Sequence, residues 1–376
     1  MANSFKLLDL FSGIGGFHLG LEQAGFKFDW TGFSEIDKYA NKQYKKRFPN
    51  ARELGDVTAI QCEDLPKDID ILCGGFPCQT FSIAGKRKGF DDTRGTLFFE
   101  IARILRYFRG TEQPIPYFIL ENVKGLLNHE DGQTFATIYG ILTELGYTVE
   151  CQIVNTRWFL PQNRERIYIV GYIGNRGGPQ VFPIGEPGKI SDNRNAKVAN
   201  TLQHPGHSGG NCKGMTMVQV PEATKKGYAE AGEGDSINFS VPNSKTRRGR
   251  VGKGEAQTLD TGMQQYTIQP KILDDYNNKI KDDGVTPTVT QHCSRSARRN
   301  GIKVINNTSI RRLTPVECNR LQGFNDNHNK YGEIDGKVVE MSDTQRYKQA
   351  GNAVTVDVVQ AVAERIRPLF EDNKRV

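Results

Sequence analysis

The chain has 376 residues, 37% hydrophobic and 25% charged, with a formal net charge of +7. That length suits one large core and a second, smaller unit. No apolar run approaches the roughly 18 to 20 residues a membrane helix needs, so the pattern excludes a helical membrane protein.

In chain order, MANSFKLLDLF carries one lysine and no long apolar stretch before a cleavage site, so no signal peptide is expected and the expected location is the cytoplasm. Strands are predicted at FKLLDLF (5–11), FDWTGFSE (28–35), IDILCGG (69–75), YFILENV (117–123), ECQIVNT (150–156) and RIYIVGYI (166–173). Helical spacing lies between them in 17–25, 96–108 and 134–146. This alternation predicts an α/β fold with a mostly parallel, doubly wound sheet, whose ligands gather beyond the carboxyl ends of the strands.

From about residue 176 the texture turns to Gly, Asn, Ser, Thr, Lys and Arg, predicting a separate irregular or β-rich region. It holds a weak internal echo in 198–210, 255–265 and 286–295, and three basic clusters, SKTRRGR (244–250), SRSARRN (294–300) and IRRL (310–313). Such clusters are either solvated faces or a surface for a polyanion. Helical character returns at 314–324 and 354–366, the latter apolar enough to rejoin the first core. The seven cysteines (Cys62, Cys73, Cys78, Cys151, Cys212, Cys293 and Cys318) are scattered and form no C-x-x-C pair. Reduced thiols are expected, with neither a disulfide framework nor a metal site.

Four stretches carry chemistry. In DLFSGIGGFHLGLEQAG (9–25), Gly13, Gly15 and Gly16 let a strand turn sharply into a helix and bring backbone N–H groups close to a ligand. Glu35 follows the next strand and suits a ribose diol, and Asp56 in GDVT can accept from an adenine amino group; each is also a common helix cap, but in this order they favour an adenosine ligand. In DILCGGFPCQTFS (70–82), Cys78 stands at a strand end before a polar, glycine-broken segment with Lys86, Arg87, Lys88 and Arg94. That setting suits a nucleophilic thiolate, whereas Cys73 inside the strand reads as a small hydrophobe. In FILENV, Glu121 places a carboxyl group at a desolvated strand end, where it can donate a proton to a ring nitrogen. In LPQNRERIYIV, Gln162, Arg164 and Arg166 alternate at period two and are expected on one strand face, as an anion or base-edge grip or as partners for Glu121.

Together FSGIGG, GGFPCQTFS, ENV, QNRER, RRLTPVECNRLQGF and QAGNAVTVDVV resemble the successive motifs of the cytosine-5 DNA methyltransferases of restriction-modification systems, bacterial or phage. The resemblance implies a Rossmann-like, S-adenosylmethionine-dependent catalytic domain over 1–175, completed by 340–376, with a target-recognition domain and hinge over 176–339. It implies S-adenosylmethionine as methyl donor, leaving as S-adenosylhomocysteine, and double-stranded DNA as substrate. Cys78 would add to carbon 6 of a flipped cytosine, Glu121 would protonate ring nitrogen 3, Arg164 would contact the base carbonyl and Arg166 would support Glu121. Phe11, Gly13, Gly15, Glu35, Asp56, Val57, Pro77, Leu97, Asn352 and Val354 would form the cofactor site. Ser82, Lys86, Arg87, Arg94, Arg247, Arg248, Thr288, Arg298 and Arg299 would meet DNA.

Two departures stand out: Val289 after Thr288, where the family has leucine, and Ile36 after Glu35, where relatives often carry an aromatic ring. The expected partners are DNA and a restriction endonuclease sharing the site, and the expected state is a monomer. An RNA methyltransferase of the same superfamily is the nearest rival, set against about 130 residues of recognition region. A catalytically silent DNA-binding regulator would have lost Cys78 or Glu121, and a nicotinamide oxidoreductase would leave the Gln-Arg-Arg face unexplained.

Overall fold

The computed structural model describes residues 4–77, 97–173, 181–185, 218–232, 234–241, 246, 249–262, 265–274, 279–281, 302–334 and 336–373. The first part holds strands β1 (Phe5–Leu10), β2 (Phe28–Ser34), β3 (Arg52–Gly55), β4 (Ile71–Gly75), β5 (Tyr117–Val123), β6 (Tyr147–Asn155), β7 (Gln162–Asn163) and β8 (Glu165–Ile173). Helices α1 (Gly16–Gln23), α2 (Lys38–Arg47), α3 (Leu97–Arg109) and α4 (Gln133–Glu144) lie between them.

Seven strands form one sheet in the order β3-β2-β1-β4-β5-β8-β6. The pairs from β3 to β5 are parallel, while β8 runs antiparallel to both β5 and β6. The central strands are apolar on both faces because helices cover both faces. Leu8, Leu10, Leu72, Phe118 and Leu120 face the core lined by α3 and α4. Their alternates Leu7, Ile71, Cys73, Tyr117 and Ile119 face the core shared with Phe17 and Leu21 of α1.

Besides the two-residue β7, two elements of this first part have no counterpart in the predicted set. Helix α2, KYANKQYKKR, buries Ala40, Asn41, Gln43 and Tyr44 but is otherwise polar, so its apolar periodicity is thin. Its start is set by Asp37, whose side chain accepts from the N–H groups of Tyr39 and Ala40, and its last turn carries Lys45, Lys46 and Arg47. Strand β3 is four residues at the sheet edge, too short for a pattern to show.

The second region is β-rich, as expected. It comprises β9 (Val218–Pro221), β10 (Tyr228–Ala231), β11 (Ser236–Asn238), β12 (Val251–Gly252), β13 (Ala256–Gln257), β14 (Gln265–Asp274), β15 (Lys279–Lys281) and β16 (Ile302–Arg312). Strand β14 pairs with β11, β15 and β16, and β13 pairs in parallel with β7, joining this region to the first. Two of the three echo segments, 198–210 and 286–295, lie outside the described residues.

Chain 313–373 returns to the first body. Thr314 closes a capping box with Glu317 at the start of α5 (Pro315–Leu321). Phe324 packs with Ile14, Phe33 and Tyr44, and the hairpin β17 (Tyr331–Ile334) with β18 (Lys337–Glu340) follows. After α6 (Asp343–Asn352), helix α7 (Val356–Asn373) buries Val358, Val359, Val362 and Ile366 in the core of Phe5, Leu7 and Leu21. Gly20 permits this contact, since a Cβ there would lie 2.6 Å from Val359.

Candidate active site

Strands β1, β2 and β3 proceed outward on one side, and β4 and β5 resume on the other, so the crevice between the ends of β1 and β4 is where the strand order reverses. A cavity of about 500 Å³ opens there, within the roughly 300–1,000 Å³ span of small-ligand sites.

The β1 side of the cavity is a turn in an uncommon backbone state. Phe11 has φ +53°, Gly13 +54° and Gly15 +81°, so a bulky non-glycine residue holds the left-handed region at the cavity edge. The turn is pinned to the end of β2: Ser12 N–H donates to Ser34 O at 3.1 Å, and Gly13 N–H donates to Glu35 Oε2 at 2.8 Å. Glu35 Oε1 accepts from Asp37 N–H at 2.7 Å. Burial pushes the Glu35 carboxyl above its ordinary 4.5, opposed by the N–H groups of Asp37, Gly13 and Ile36. Asp56 starts the short turn Val57–Ala59 and takes both the N–H and the hydroxyl of Thr58 on Oδ1, each at 2.9 Å, which leaves Oδ2 for a ligand.

On the other side, Asn122 Nδ2 donates to Phe76 O at 2.9 Å and ties the end of β5 to the segment leading to Pro77. Glu121 Oε1 stands 3.1 Å from Arg166 Nε, with both side chains largely buried. Gly75 has no side chain beside Glu121 Oε2, which leaves that oxygen facing the cavity. Arg164, 4% exposed, donates from Nη1 to Gly351 O at 3.3 Å and from Nη2 to Ala353 O at 2.9 Å, while its Nε meets no partner among the described residues. Burial and the Arg166 charge lower Arg164 to about 10.

Of the sequence-derived cofactor set, Phe11, Gly13, Glu35, Asp56 and Val57 line this cavity from the β1–β3 side, with Pro77, Leu97 and Asn352 opposite. Gly15 and Val354 do not line it. Gly15 caps α1 beneath Phe48, and Val354 backs Gly16. Glu121, Arg164 and Arg166 share the cavity. Gln162 parts from the two arginines: β7 ends at Asn163 and turns Gln162 into the β13 contact, so the predicted common strand face is not formed. Cys78, Ser82, Lys86, Arg87, Arg94, Arg247, Arg248, Thr288, Arg298 and Arg299 lie outside the described residues.

The structure adds Ser34, Thr58, Phe76 and Gly351 to the lining. Ser34 and Thr58 directly flank Glu35 and Val57, a neighbourhood the sequence motifs already marked. Ile36 is 77% exposed at the cavity mouth.

The residues fit a nucleoside-like cofactor. Two carboxylates, Glu35 and Asp56, share one wall with the apolar Phe11 and Val57, and Leu97 faces them from the other side. The model of C-5 cytosine-specific DNA methylases matches residues 5–368. The chain belongs to that family. It is 37% identical over 372 residues to the Type II methyltransferase M1.ScrFI of Lactococcus lactis subsp. cremoris, covering 99% of this chain and 80% of the relative. It is also 37% identical over 378 residues to the Type II methyltransferase M.HpaII of Haemophilus parainfluenzae, covering 97% and 90%. The fold is that of the S. pombe Dnmt2 methyltransferase, with a TM-score of 0.58 at 17% identity, over 97% of this chain and 99% of the other. Among the described residues no helix is long and apolar enough to cross a membrane.

Proposed function

We propose that this protein methylates carbon 5 of cytosine at one short DNA sequence, with Cys78 as nucleophile and S-adenosylmethionine as donor. The observation that carries the reading is a shared cavity. Glu35 and Asp56, suited to an adenosine, and the Glu121–Arg166 pair line one space that ends at Pro77, the residue before Cys78.

Glu35 would hold the ribose hydroxyls, Asp56 Oδ2 the adenine amino group, and Phe11 and Val57 the purine faces. The bound cofactor supplies a methyl group on a sulfonium. A stacked base cannot reach this crevice, so the cytosine has to leave the duplex. Cys78 Sγ then bonds to carbon 6, while Glu121 Oε2 gives a proton to ring nitrogen 3, so that no negative charge accumulates on the ring. Electron density moves to carbon 5, which would take the methyl as its bond to the cofactor sulfur breaks and leaves a neutral thioether; the carbon 5 proton then passes to solvent, the nitrogen 3 proton returns to Glu121 Oε2, and departure of the Cys78 thiolate restores the ring. Arg166 fixes Glu121 from the side of Oε1 and leaves Oε2 to the base. Arg164 has both terminal amino groups on Gly351 O and Ala353 O, and its role is to hold the 351–353 turn rather than the base carbonyl.

The recognition unit spans residues 176 to about 312, with the basic clusters on phosphates and neighbouring loops on base edges. The packing of Phe324 with Ile14, Phe33 and Tyr44 supports ending it there instead of at 339. We assign the protein a cytoplasmic, monomeric life beside an endonuclease of the same specificity.

Bisulfite sequencing of an unmethylated plasmid, with and without S-adenosylmethionine, tests this. Cytosines in one recurring short sequence are expected to be protected only with cofactor, and not by Cys78→Ser. No protected cytosine on a plasmid rich in short sites would overturn the DNA assignment.

A further inference from the structure

A line of buried polar groups runs behind the cofactor turn. Asp9 in β1 is fully buried, two residues before Phe11. Tyr44 Oη lies 3.1 Å from Asp9 Oδ2, and His18 Nδ1 lies 3.0 Å from Tyr44 Oη. His18 Nε2 faces Glu22 at 3.6 Å, and Glu22 faces Arg47 at 3.6 Å nearer the surface. The rings are clamped, His18 stacked on Phe48 at 3.8 Å and Tyr44 on Phe33 at 4.2 Å. The titratable groups bearing on Asp9 are Tyr44, Glu35 and Cys73, its partner in the β1–β4 register; none is a cation.

Proton counting decides between two arrangements. With Asp9 ionised, Tyr44 donates to it and His18 Nδ1 must donate to Tyr44. A full charge then sits in the core without a cation, and Asp9 Oδ1 has no donor among the described residues. Uncompensated buried charges of this kind are strongly disfavoured. With Asp9 protonated on Oδ2, the acid donates to Tyr44, Tyr44 donates to His18 Nδ1, and the Nε2–H of neutral His18 points at Glu22. Every proton is used once and no charge is buried.

We propose that Asp9 is a neutral carboxylic acid and a positioning residue, holding Tyr44 behind the Gly15 turn through the Asp9–Tyr44–His18 chain without placing a second negative charge behind Glu35. Tyr44 is the right support for that turn, since a Cβ on Gly15 would lie 3.1 Å from Tyr44 Cε2. Burial raises the Asp9 carboxyl and the Tyr44 hydroxyl, and lowers His18 to about 3, which agrees with neutral groups throughout. Glu35 is already raised by burial, and a charged Asp9 would make the ionised form that grips ribose hydroxyls harder still to reach. The cofactor part of this inference rests on the reading of the cavity given above; the protonation state of Asp9 does not.

Infrared spectra of the full-length protein at pH 8, unlabelled and with carbon-13 in the aspartate side-chain carboxyls, test the protonation directly. A protonated-acid carbonyl band that moves on labelling, disappears in Asp9→Asn and shifts in Tyr44→Phe is expected. The other buried aspartate among the described residues, Asp235, is paired with Lys253 at 2.6 Å, and loss of the band in Asp9→Asn separates the two. Absence of a label-sensitive acid band in the wild type overturns the proposal, whatever the variants do.

Calorimetry with S-adenosylhomocysteine tests the positioning. Asp9→Asn, whose amide can donate to Tyr44, is expected to bind within about threefold of wild type, and Asp9→Ala at least about tenfold more weakly. A folded Asp9→Asn that loses more than about tenfold overturns the claim that a neutral donor suffices. If the wild type itself does not bind S-adenosylhomocysteine, the cavity assignment fails and the infrared result stands on its own.

Discussion

Arg164→Met separates the two roles open to that side chain, the base contact implied by family resemblance and the turn anchor seen in the structure. Burial and the Arg166 charge hold the guanidinium at about 10 instead of 12.5, which corresponds to roughly 3 kcal/mol lost by the charged form. Its hydrogen bonds to Gly351 O and Ala353 O return about 1.5–3 kcal/mol each, as bonds from a charged donor do. Loss and return nearly offset, so an apolar side chain of similar length is expected to destabilise the fold by only about 0–3 kcal/mol. The 351–353 turn fares worse, because both anchors go and Asn352 lines the cavity. Affinity for S-adenosylhomocysteine is therefore expected to fall at least about tenfold, or about 1.4 kcal/mol, with kcat at saturating cofactor within about threefold of wild type. Calorimetric titration, urea denaturation and steady-state kinetics on the same preparation measure all three. A variant that binds S-adenosylhomocysteine like wild type and loses kcat instead would refute the anchoring argument and return Arg164 to the base.

Three further outcomes follow from the geometry. His18 and His328 are held neutral by burial, at about 3 and about 4 against an ordinary 6.5. The unfolded chain takes up two protons below pH 6.5 that the fold does not, so stability falls as pH drops, by about 4 kcal/mol in total at pH 5. Urea denaturation at pH 7.5 and pH 5 should show this, with His328→Gln removing about half the difference; equal stability at both would mean the rings are not buried and neutral. Glu35→Gln loses one of two N–H contacts to Gly13 and Asp37 and should weaken cofactor binding by about 10- to 100-fold. In the wild type that affinity should decline as pH falls through the raised Glu35 value, above 4.5, and the variant should lack this limb in a titration series. Gly15→Ala puts a Cβ at φ +81° and 2.5 Å from Phe48 Cε2, and is expected to lower stability by about 2–4 kcal/mol. Thermal melting measures that loss, and Phe48→Ala in the same chain should recover part of it; a neutral Gly15→Ala would show that the turn relaxes freely.

Legibility in the sequence followed the strength of local signals. Strands such as YFILENV and IDILCGG were readable because both faces are covered, which demands unbroken apolar runs. The short edge strand β3 and the polar helix α2 were not, since one rests on pairing with β2 and the other on burying few residues, Tyr44 among them. The antiparallel placement of β8 between β5 and β6 is likewise a matter of long-range pairing.

The sequence by itself determined the family, the order of chemical groups along the chain and the position of the two carboxylates, Glu35 and Asp56, proposed here for an adenosine. These depend on residue type and spacing, and a glycine turn, a strand-end thiol or a strand-end carboxylate announces itself locally. The resemblance already implied Arg166 as the partner of Glu121, and the two stand 3.1 Å apart; only the tertiary structure showed that Arg164 is engaged by Gly351 O and Ala353 O, because those partners are 187 and 189 residues away. It alone revealed Asp9 behind the turn, since an aspartate inside an apolar strand gains meaning only when Tyr44, 35 residues on, is folded against it. Local pattern specifies which groups are present; burial and long-range contact decide which of them are charged, paired and aimed at the substrate.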